Sequence, residues 1–408
     1  MRTLFPTLHD WIACEAVSFD HRSRDSLGKA IDRILSHSTN LALLAFGEPL
    51  HGDENFLHLR NHIFQHLVEH QGYTAIAIES GFPQSHLVND FVQHRNSASI
   101  DDVLRNGFTH GFGNSPATRE LIEWIRTFNA SRDNPISFYG FDAPMEMSGA
   151  DSPRQMLANV LDLLDRVDES KNDDRRTRIT ALLGNEADWS NPAAMMDPGK
   201  SIGLSPAATQ LRIETADLIS ELLRRRPEVI TKTSRQDFQQ AMQHASQARL
   251  QLDYHSVYAQ QSPTRIADLL GIRDAMMAEN LMYTIERERG KVFAFAHNSH
   301  LKRGIAEWQL GSHALRWWSA GAHMHHLLGN RYSMIGGGVG AGAEPNSLEA
   351  IIFSTAGPSR LIPTHLGAGL PVTKIARLQP RSASSMNPTY FPFTANSPTD
   401  FDWLLLPE

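Results

Sequence analysis

Four short apolar runs constrain the fold of this chain most strongly. Each has the length of a strand and shows no alternation with polar residues: 41–46, 73–78, 136–141 and 291–296. Such runs are typical of strands covered on both faces, as in a mostly parallel sheet. After residue 290 the pattern continues at 332–335, 350–353 and 403–406. The chain is therefore expected to form a central sheet with helices on its faces.

Segments with apolar residues at helical spacing lie between several of these runs. Residues 55–71 carry apolar side chains at helical spacing, and Gly72 follows as a C-cap. Strand, helix and strand within about forty residues make a βαβ unit. Residues 26–36 and 117–131 show the same helical pattern. These segments predict helices that cover the sheet.

The pattern changes from about residue 153 to residue 289. Strand-like runs disappear, and long amphipathic helices are predicted at 153–168, 206–226, 235–252 and 263–289. The polar stretch 169–200 is predicted to be irregular. Further along, residues 357–399 are rich in Pro, Gly and Ser, which predicts loops at one end of the sheet.

Together these patterns predict an α/β fold with a mostly parallel or mixed central sheet, flanked by helices and carrying a large inserted helical subdomain. A chain of 408 residues with 41% hydrophobic residues can bury two or three cores. We expect residues 1–150 to form the first part of the α/β core, 151–272 the inserted subdomain, and 273–408 the second part of the core.

The composition narrows the class of partner. The net charge of −7 argues against a nucleic-acid or anionic-membrane partner, since both need clustered Lys and Arg. Cys14 is the single cysteine, which rules out an internal disulfide and a multi-cysteine zinc site. We find no run of about 20 apolar residues and no signal-peptide pattern. A cytoplasmic protein is therefore expected.

Titratable side chains end the apolar runs. The first run leads into the turn Gly47-Glu48-Pro49-Leu50-His51-Gly52. The next two end at Glu79 and Asp142, and the fourth ends at His297-Asn298-Ser299-His300. Ligands bind at the carboxyl ends of strands in open α/β sheets, so these groups are expected to converge on one crevice. The alternative is that these titratable groups share no function, because any apolar run must end in something polar.

The spacing within these segments suggests acid–base chemistry. Glu48 and His51 lie three residues apart, so in a helical turn they would share a face. A carboxylate beside an imidazole fixes its tautomer and raises its basicity, as a general base requires; an exposed His in a capping turn is the alternative. His297 and His300 could donate hydrogen bonds to an oxyanion, protonate a leaving group, or bind a metal.

Two further features bear on the site. Arg273 and Asn280 lie seven residues apart in a predicted helix and share a face. Arg273 could bind a carboxylate, pair with Glu48 or Glu79 and hold it ionised, or form an ordinary surface ion pair. The glycine-rich run 336–341 follows a predicted strand and resembles a dinucleotide fingerprint. Because the residues after it do not begin a helix, we do not expect a dinucleotide site there.

The segment Gly-Glu-x-x-His-Gly resembles the opening motif of the erythromycin esterase family. The resemblance covers nearly the whole chain: Phe56, Arg60, Ile78-Glu79-Ser80, 121–129, 139–142, 273–280, 297–300, 329–337 and Phe401-Asp402-Trp403. It implies hydrolysis of a macrolide lactone or similar carboxylic ester by a histidine-activated water, as in antibiotic resistance, without a covalent acyl-enzyme and without a cofactor. Leu50 departs from the pattern, because a small hydroxyl residue is common there.

The resemblance also implies roles for particular residues. His51 would be the base and Glu48 its partner, and Arg60, Glu79, His297 and His300 would line the site. Our hypothesis for the hydrolysis is that Arg60 with His297 or His300 stabilises the oxyanion. Substrate-binding roles are expected for Glu79, His300, Arg273, Asn280 and Asp142. The substrate would be a small-molecule ester or lactone, and the sequence leaves the oligomeric state open.

Two other hypotheses use the same residues. In one, Glu48, His51, Glu79 and His297 are ligands of a metal-dependent hydrolase. In the other, the chain is a non-catalytic relative that binds a small molecule or haem in the same pocket.

Overall fold

The computed structural model describes residues 5–38, 40–143, 145–146, 149–168, 173–288, 290–355, 359–382 and 389–407. The chain forms two compact units. The first comprises Met1–Phe141, Thr284–Trp308 and Trp318–Glu408, and the second comprises Asp142–Tyr283 and Gln309–Trp317. The three-segment division expected from the sequence stays a prediction, because compactness alone does not show independent folding.

The strands of the described residues are, in chain order, β1 Val17–Phe19, β2 Leu43–Glu48, β3 Tyr73–Gly81, β4 Ser137–Asp142, β5 Met145–Glu146, β6 Gly149–Ala150, β7 Lys291–His297, β8 Ile305–Leu310, β9 His313–Trp318, β10 Tyr332–Gly337, β11 Ser359–Pro363 and β12 Trp403–Leu406. Eight of them form one sheet in the order β1-β11-β12-β10-β2-β7-β3-β4. Strands β12, β10, β2, β7 and β3 run parallel, whereas β11 and β1 are antiparallel to their neighbours. The predicted α/β class with a mixed central sheet is confirmed.

The first unit contributes the helices α1 Leu8–Glu15, α2 Arg24–Ser36, α3 Glu54–Gln71, α4 Ser85–Val92, α5 Ile100–Asn106 and α6 Pro116–Asn129. The next helices along the chain are α7 Arg154–Val167, α8 Asp173–Leu183, α9 Glu186–Trp189, α10 Pro206–Arg224, α11 Arg226–Lys232, α12 Arg235–Tyr258 and α13 Arg265–Glu288. They are followed by α14 Asn298–Leu301, α15 Ala320–Leu328, α16 Leu348–Ser354, α17 Val372–Ile375 and α18 Ser397–Asp400. None of the described helices is both long and apolar enough to cross a membrane.

Local chemistry explains where the helices beside the site begin and end. The side chain of Asp53 accepts a hydrogen bond from Asn55 N at the start of α3, and Ser115 does the same for Thr118 N at the start of α6. Gly72 ends α3 with φ 70°, a left-handed conformation that suits glycine. These caps fix the loops that lead into both helices.

Three predicted elements differ from the structure. Residues 350–353 lie in α16 instead of a strand, because Ser347 caps a helix there and Leu348 and Ile352 are buried at helical spacing. Part of the stretch predicted to be irregular forms α8, where Ile179 and Leu183 are buried four residues apart. The predicted loop region 357–399 contains β11. Residues 169–172, 356–358 and 383–388 lie outside the described residues.

The core of the first unit lies between the sheet and helices α2, α3 and α6. Aromatic side chains from β2, β7 and α3 meet there, with the parallel rings of Phe64 and Phe293 6.0 Å apart between centroids. Full burial of each such ring contributes about 1.5–3 kcal/mol. The second unit has its own apolar core, built from α7, α8, α10, α11 and α12.

Gly47 near the end of β2 is required by close packing across the sheet. A Cβ atom at this position would overlap Asn298 Oδ1 and lie 2.7 Å from Met334 Cε. Asn298 comes directly after β7, and its side chain bridges to β10, donating to Gly337 O at 2.8 Å and accepting from Gly337 N at 3.2 Å. The absent side chain at Gly47 therefore lets one amide join the ends of two strands that flank β2.

We expect Gly47→Ala to lower the free energy of unfolding by about 1–3 kcal/mol, since overpacking would displace the Asn298 bridge. Urea titration followed by circular dichroism measures the change. Gly271→Ala is the matched control. A Cβ atom added at Gly271 would have Trp317 Cβ as its nearest neighbour beyond its own helix, at 3.8 Å, which is an ordinary contact. Glycine is also unfavourable within a helix, so this substitution introduces no overpacking. Equal stability of Gly47→Ala and the wild type would contradict the packing argument.

Candidate active site

The register of the parallel strands brings three predicted site residues to one edge of the sheet. Glu48 at the end of β2 is paired with His297 at the end of β7. Ile78 on β3 is paired with Phe295 on β7, so Glu79 follows at nearly the same height. The carboxyl ends of neighbouring parallel strands therefore supply two carboxylates and one imidazole to this edge.

Glu48 and His51 form a direct hydrogen bond. His51 Nδ1 lies 2.7 Å from Glu48 Oε1, and the turn of residues 49–52 brings the pair together without a helical turn. Glu48 is buried, whereas the His51 side chain is 35% exposed. An ionised carboxylate only accepts hydrogen bonds, so Nδ1 carries the hydrogen and Nε2 of a neutral ring can accept a proton.

The electrostatic environment of Glu48 contains opposing effects. Burial raises the pKa of this carboxyl, and the charge of Glu79 raises it further. The hydrogen bond and the charge of His51 lower the pKa, as does the charge of Arg60. Oxygen Oε2 of Glu48 is buried without a hydrogen-bond partner among the described residues. Burial outweighs the opposing contributions, so the pKa of Glu48 is raised overall, and His51 and Arg60 limit the rise.

Arg60 is a buried cation held by α3. Its Nε and Nη2 donate to Asn61 Oδ1 at 3.0 and 2.9 Å, and Asn61 Nδ2 donates to Ala117 O at 2.7 Å. The guanidinium carbon lies 5.2 Å from the centre of the Phe295 ring. Burial lowers the pKa of Arg60 to about 10, against the attraction of Glu48 and Glu54, so the side chain stays charged at neutral pH.

His297 is held by hydrogen bonds at both ring nitrogens. Nε2 lies 3.1 Å from Thr389 O, which can only accept, so Nε2 carries the hydrogen. Nδ1 lies 2.7 Å from Ser299 Oγ and accepts from that hydroxyl. Burial and the neighbouring His51 lower the pKa of His297 to about 3. The ring is therefore neutral, and its centroid lies 5.0 Å from that of His51.

Glu79 connects His297 to His300. Its Oε2 accepts a hydrogen bond from the backbone nitrogen of His297 at 2.7 Å, and its Oε1 lies 3.3 Å from His300 Nε2. Both Glu79 and His300 are buried. A carboxylate in this position fixes the first turn of α14 relative to the end of β3.

A cavity of about 340 Å³ opens beside these residues, within the common size range of small-molecule sites, about 300–1,000 Å³. Its lining includes four residues that the sequence predicted: Glu48, His51, Arg60 and Glu79. Unpredicted polar and aromatic residues complete it: Glu54, His110, Phe112, Asn114, Ser115 and Thr118. His297 and His300 lie behind this lining and touch it through His51 and Glu79.

The cavity loop 110–115 was not identified from the sequence. His110 and Gly111 are both left-handed, with φ 57° and 72°. The ring of Phe112 lies 5.6 Å from His110 and 5.3 Å from His51. Glycines at 107, 111 and 113 are the signal that could have marked this loop as tightly turned.

Three predicted substrate-binding residues belong to the second unit. Arg273 forms a bidentate ion pair with Asp142, with Nε–Oδ1 at 2.9 Å and Nη2–Oδ2 at 2.6 Å. Asn280 Oδ1 accepts a hydrogen bond from Gln243 Nε2 at 2.7 Å. These contacts give Arg273, Asp142 and Asn280 a structural role within that unit. That the three residues bind a substrate stays a prediction.

The alternative of a metal centre requires several ligands to converge on one point. Among the described residues, no group of three or more His, Cys, Asp or Glu side chains is arranged to hold a metal ion. Glu48 Oε1 is bonded to His51, and both nitrogens of His297 have other partners. The side chains proposed as ligands are thus directed toward each other and toward the protein.

Comparisons with known proteins agree with this architecture. The erythromycin esterase family model matches residues 68–360. Erythromycin esterase type II of Escherichia coli is 24% identical over 276 residues, which are 64% of this chain and 61% of that protein. The match therefore spans only about three fifths of that relative.

Three solved structures are similar over almost the whole chain. A Bacillus cereus protein has a TM-score of 0.74 at 16% identity, with 98% of this chain and 96% of that chain covered. A succinoglycan biosynthesis protein has a TM-score of 0.72 at 15% identity and the same coverage. A mutant of the erythromycin esterase EreC in its open conformation has a TM-score of 0.70 at 16% identity, with 95% of this chain and 96% of that chain covered. At these identities the similarity shows a common fold.

The fold and the cavity place this chain among the α/β proteins that carry a pocket at the carboxyl edge of a mostly parallel sheet. With the family model matched over most of its length, the chain belongs to the erythromycin esterase family. The matched region contains Glu79, His297 and His300, whereas Glu48, His51 and Arg60 precede it.

Burial of neutral His297 predicts a pH dependence of stability. Its pKa is about 3 in the folded chain and 6.5 ordinarily, so between these values only the unfolded chain takes up the proton. Stability present above pH 6.5 is therefore lost as the pH falls toward 3. We expect the wild type to lose about 1.4 kcal/mol per pH unit more than His297→Gln between about pH 6 and 4.

Urea unfolding of both proteins at pH 7, 6, 5 and 4 measures this difference. His9→Gln, which changes an exposed histidine of α1, is the control and should follow the wild type. Parallel pH profiles of the wild type and His297→Gln would show that the ring is not held neutral.

Proposed function

We propose that this chain hydrolyses carboxylic esters, including lactones, by direct attack of a water molecule that His51 activates. The observation that carries the proposal is the 2.7 Å contact between His51 Nδ1 and Glu48 Oε1 at the wall of the cavity. Both residues line the cavity, so the partly exposed imidazole borders a space that can hold a substrate. The pair has the geometry that a general base requires.

The reaction follows from the positions of the protonable groups. His51 Nε2 removes a proton from water as its oxygen attacks the ester carbonyl carbon, and Glu48 stabilises the resulting imidazolium. The carbon–oxygen bond to the leaving group then breaks, and the leaving oxygen takes the proton from His51. The products are a carboxylic acid and an alcohol, joined in one molecule when the substrate is a lactone.

Arg60 supplies the positive charge for the oxyanion of the tetrahedral intermediate. It is a buried cation on the cavity wall, and the protein places a neutral amide oxygen on its Nε and Nη2. A charge held in a site of low dielectric stabilises a developing oxyanion more than it would in water. His297 and His300 act in this scheme by positioning, because the first is neutral with both nitrogens bonded and the second pairs with Glu79.

A macrolide lactone or a similar cyclic ester is the substrate class we propose. Support comes from the family and from the relative named erythromycin esterase type II. The cavity lining combines apolar Leu57, Ile78 and Phe295 with the polar cluster, which suits an ester group carried on an apolar body. Mass spectrometry of a panel of macrolides and simple lactones tests this class, since hydrolysis adds the mass of one water.

We expect His51→Ala to lower kcat/KM by about 10²–10⁴-fold with the fold intact, because the general base is removed. Hydrolysis of the best ester of the panel gives the rate, and circular dichroism reports the fold. His58→Ala is the control, since His58 lies on α3 outside the cavity lining and pairs with Glu120 at 3.3 Å. Undiminished activity of folded His51→Ala would exclude this histidine as the base.

Ser115 tests for a covalent route. Its hydroxyl lines the cavity but accepts a hydrogen bond from Thr118 N at 3.2 Å as the cap of α6. We expect Ser115→Ala to cost about 1 kcal/mol of stability and to keep kcat within tenfold of the wild type. Intact-mass spectra of acid-quenched reactions should show no acylated protein; an acyl adduct that Ser115→Ala abolishes would instead identify a serine nucleophile.

A further inference from the structure

A short C-terminal segment contacts both halves of the candidate site. This segment, residues 389–393, is called the strap below. Its Thr389 carbonyl accepts the hydrogen bond from His297 Nε2 at 3.1 Å, and its Phe391 nitrogen donates to Pro49 O at 2.7 Å. The Phe391 ring also meets His297 edge-on, with centroids 6.0 Å apart. Pro49 lies in the turn between Glu48 and His51, so the strap contacts both the buried His297 and the turn that carries His51.

Glu349 on α16 holds the strap from the other side. Its Oε1 accepts a hydrogen bond from Phe393 N at 2.7 Å and another from the Tyr390 hydroxyl at 3.1 Å. The carboxyl group is completely buried. Tyr390 and Phe393 of the strap therefore both donate hydrogen bonds to the same oxygen of Glu349.

The glycine-rich run 336–341 belongs to the same assembly. A Cβ atom at Gly338 would lie 2.6 Å from the Phe393 ring. The nitrogen of Val339 lies 3.4 Å from the Tyr390 hydroxyl. Packing against the strap thus explains glycine at 338 within a sequence that resembles a dinucleotide fingerprint.

A buried carboxyl group is costly, and the surroundings of Glu349 show how it is accommodated. Burial raises its pKa, while the hydrogen bonds from Phe393 and Tyr390 and the charge of Arg381 lower it. Oxygen Oε2 is buried without a hydrogen-bond partner among the described residues. Buried polar groups of this kind favour a single arrangement of the segments that they join. An apolar residue at 349 could accept neither hydrogen bond and would leave the strap unanchored.

We propose that Glu349 is a positioning residue that fixes the strap and, through it, the neutral tautomer of His297 and the Pro49 turn that carries His51. Its effect on turnover rests on the ester hydrolysis proposed above.

Loss of the anchor has a defined consequence at His297. Without Thr389 O as acceptor, Nε2 loses the partner that fixes the tautomer, and water can reach the ring. The charged and titratable groups that face His297 are His51, Glu79 and His300, of which Glu79 favours the protonated ring and the other two oppose it. With the desolvation relieved, the pKa of His297 should rise toward its ordinary value.

The test compares Glu349→Gln and Glu349→Ala in the full chain labelled with ¹⁵N-histidine. The amide of Gln keeps an oxygen that can accept both hydrogen bonds, whereas Ala keeps none. Imidazole ¹⁵N spectra from pH 5 to 8 report the tautomer of His297, assigned with His297→Gln. We expect His297 to stay neutral with hydrogen on Nε2 in the wild type and Glu349→Gln, and to titrate within this range in Glu349→Ala.

Kinetics on an ester substrate provide the second measurement. We expect kcat of Glu349→Ala to fall by at least about tenfold with KM within about threefold, since small displacements of a catalytic group reduce the rate more than binding. Glu349→Gln should keep most of kcat. If Glu349→Ala fails to fold, Tyr390→Phe, which removes one of the two hydrogen bonds to Glu349, takes its place with a smaller expected effect in both measurements.

The outcomes separate the two proposals. An unchanged His297 signal in Glu349→Ala, or in Tyr390→Phe where that variant is used, would overturn the positioning role. So would a Glu349→Gln variant that titrates like Glu349→Ala. Absence of ester hydrolysis by the wild type would overturn the proposed function and leave the spectra to decide the role of Glu349.

Discussion

The register of β2 against β7 is the constraint on which the site depends. Pairing Glu48 with His297 puts a carboxylate and an imidazole at the same height, and β3 adds Glu79 beside them. A slip of one residue would turn the side chains of the strand to the other face of the sheet, so buried strands specify their register strongly. The Asn298 bridge to Gly337 passes over Gly47 and joins the two strands on either side of β2. Close packing of the sheet beneath the site therefore fixes the relative positions of Glu48, Glu79 and His297.

Electrostatic roles are divided between the two neighbouring histidines. His297 is buried, neutral and bonded at both nitrogens, whereas His51 has one nitrogen on Glu48 and a partly exposed ring on the cavity wall. Burial would favour a protonated Glu48, but the charges of Arg60 and His51 oppose this. One imidazole can then exchange a proton with a ligand while the other shapes the wall behind it. A second charged imidazole 5.0 Å away would disfavour protonation of the first, so a neutral His297 supports His51 as a base.

Sequence patterns predicted the parts of this arrangement that depend on local or periodic signals. The four apolar runs identified strands of the central sheet, and the polar residues after them identified Glu48, Glu79 and His297. The apolar residues at 350–353 fit a strand or a helix equally well, and only the Ser347 cap and the burial of one face decide for a helix. His110 and the strap could not be predicted, because each reaches the site through long-range packing. The ion pair of Arg273 with Asp142 likewise joins residues 131 positions apart.

The family match begins at residue 68, after Glu48, His51 and Arg60, yet these residues belong to the same site as the matched ones. Glu79 and His297 lie inside the match, and the strand register sets Glu48 beside them. The match does not extend over β2 and the turn after it, whereas the pairing of β2 with β7 ties that strand to the matched residues. The carboxylate at the end of β2 lies beside the imidazole at the end of β7, and His51 of the following turn lines the cavity. Hydrogen bonding across the sheet thus connects parts of the site that the sequence comparison separates.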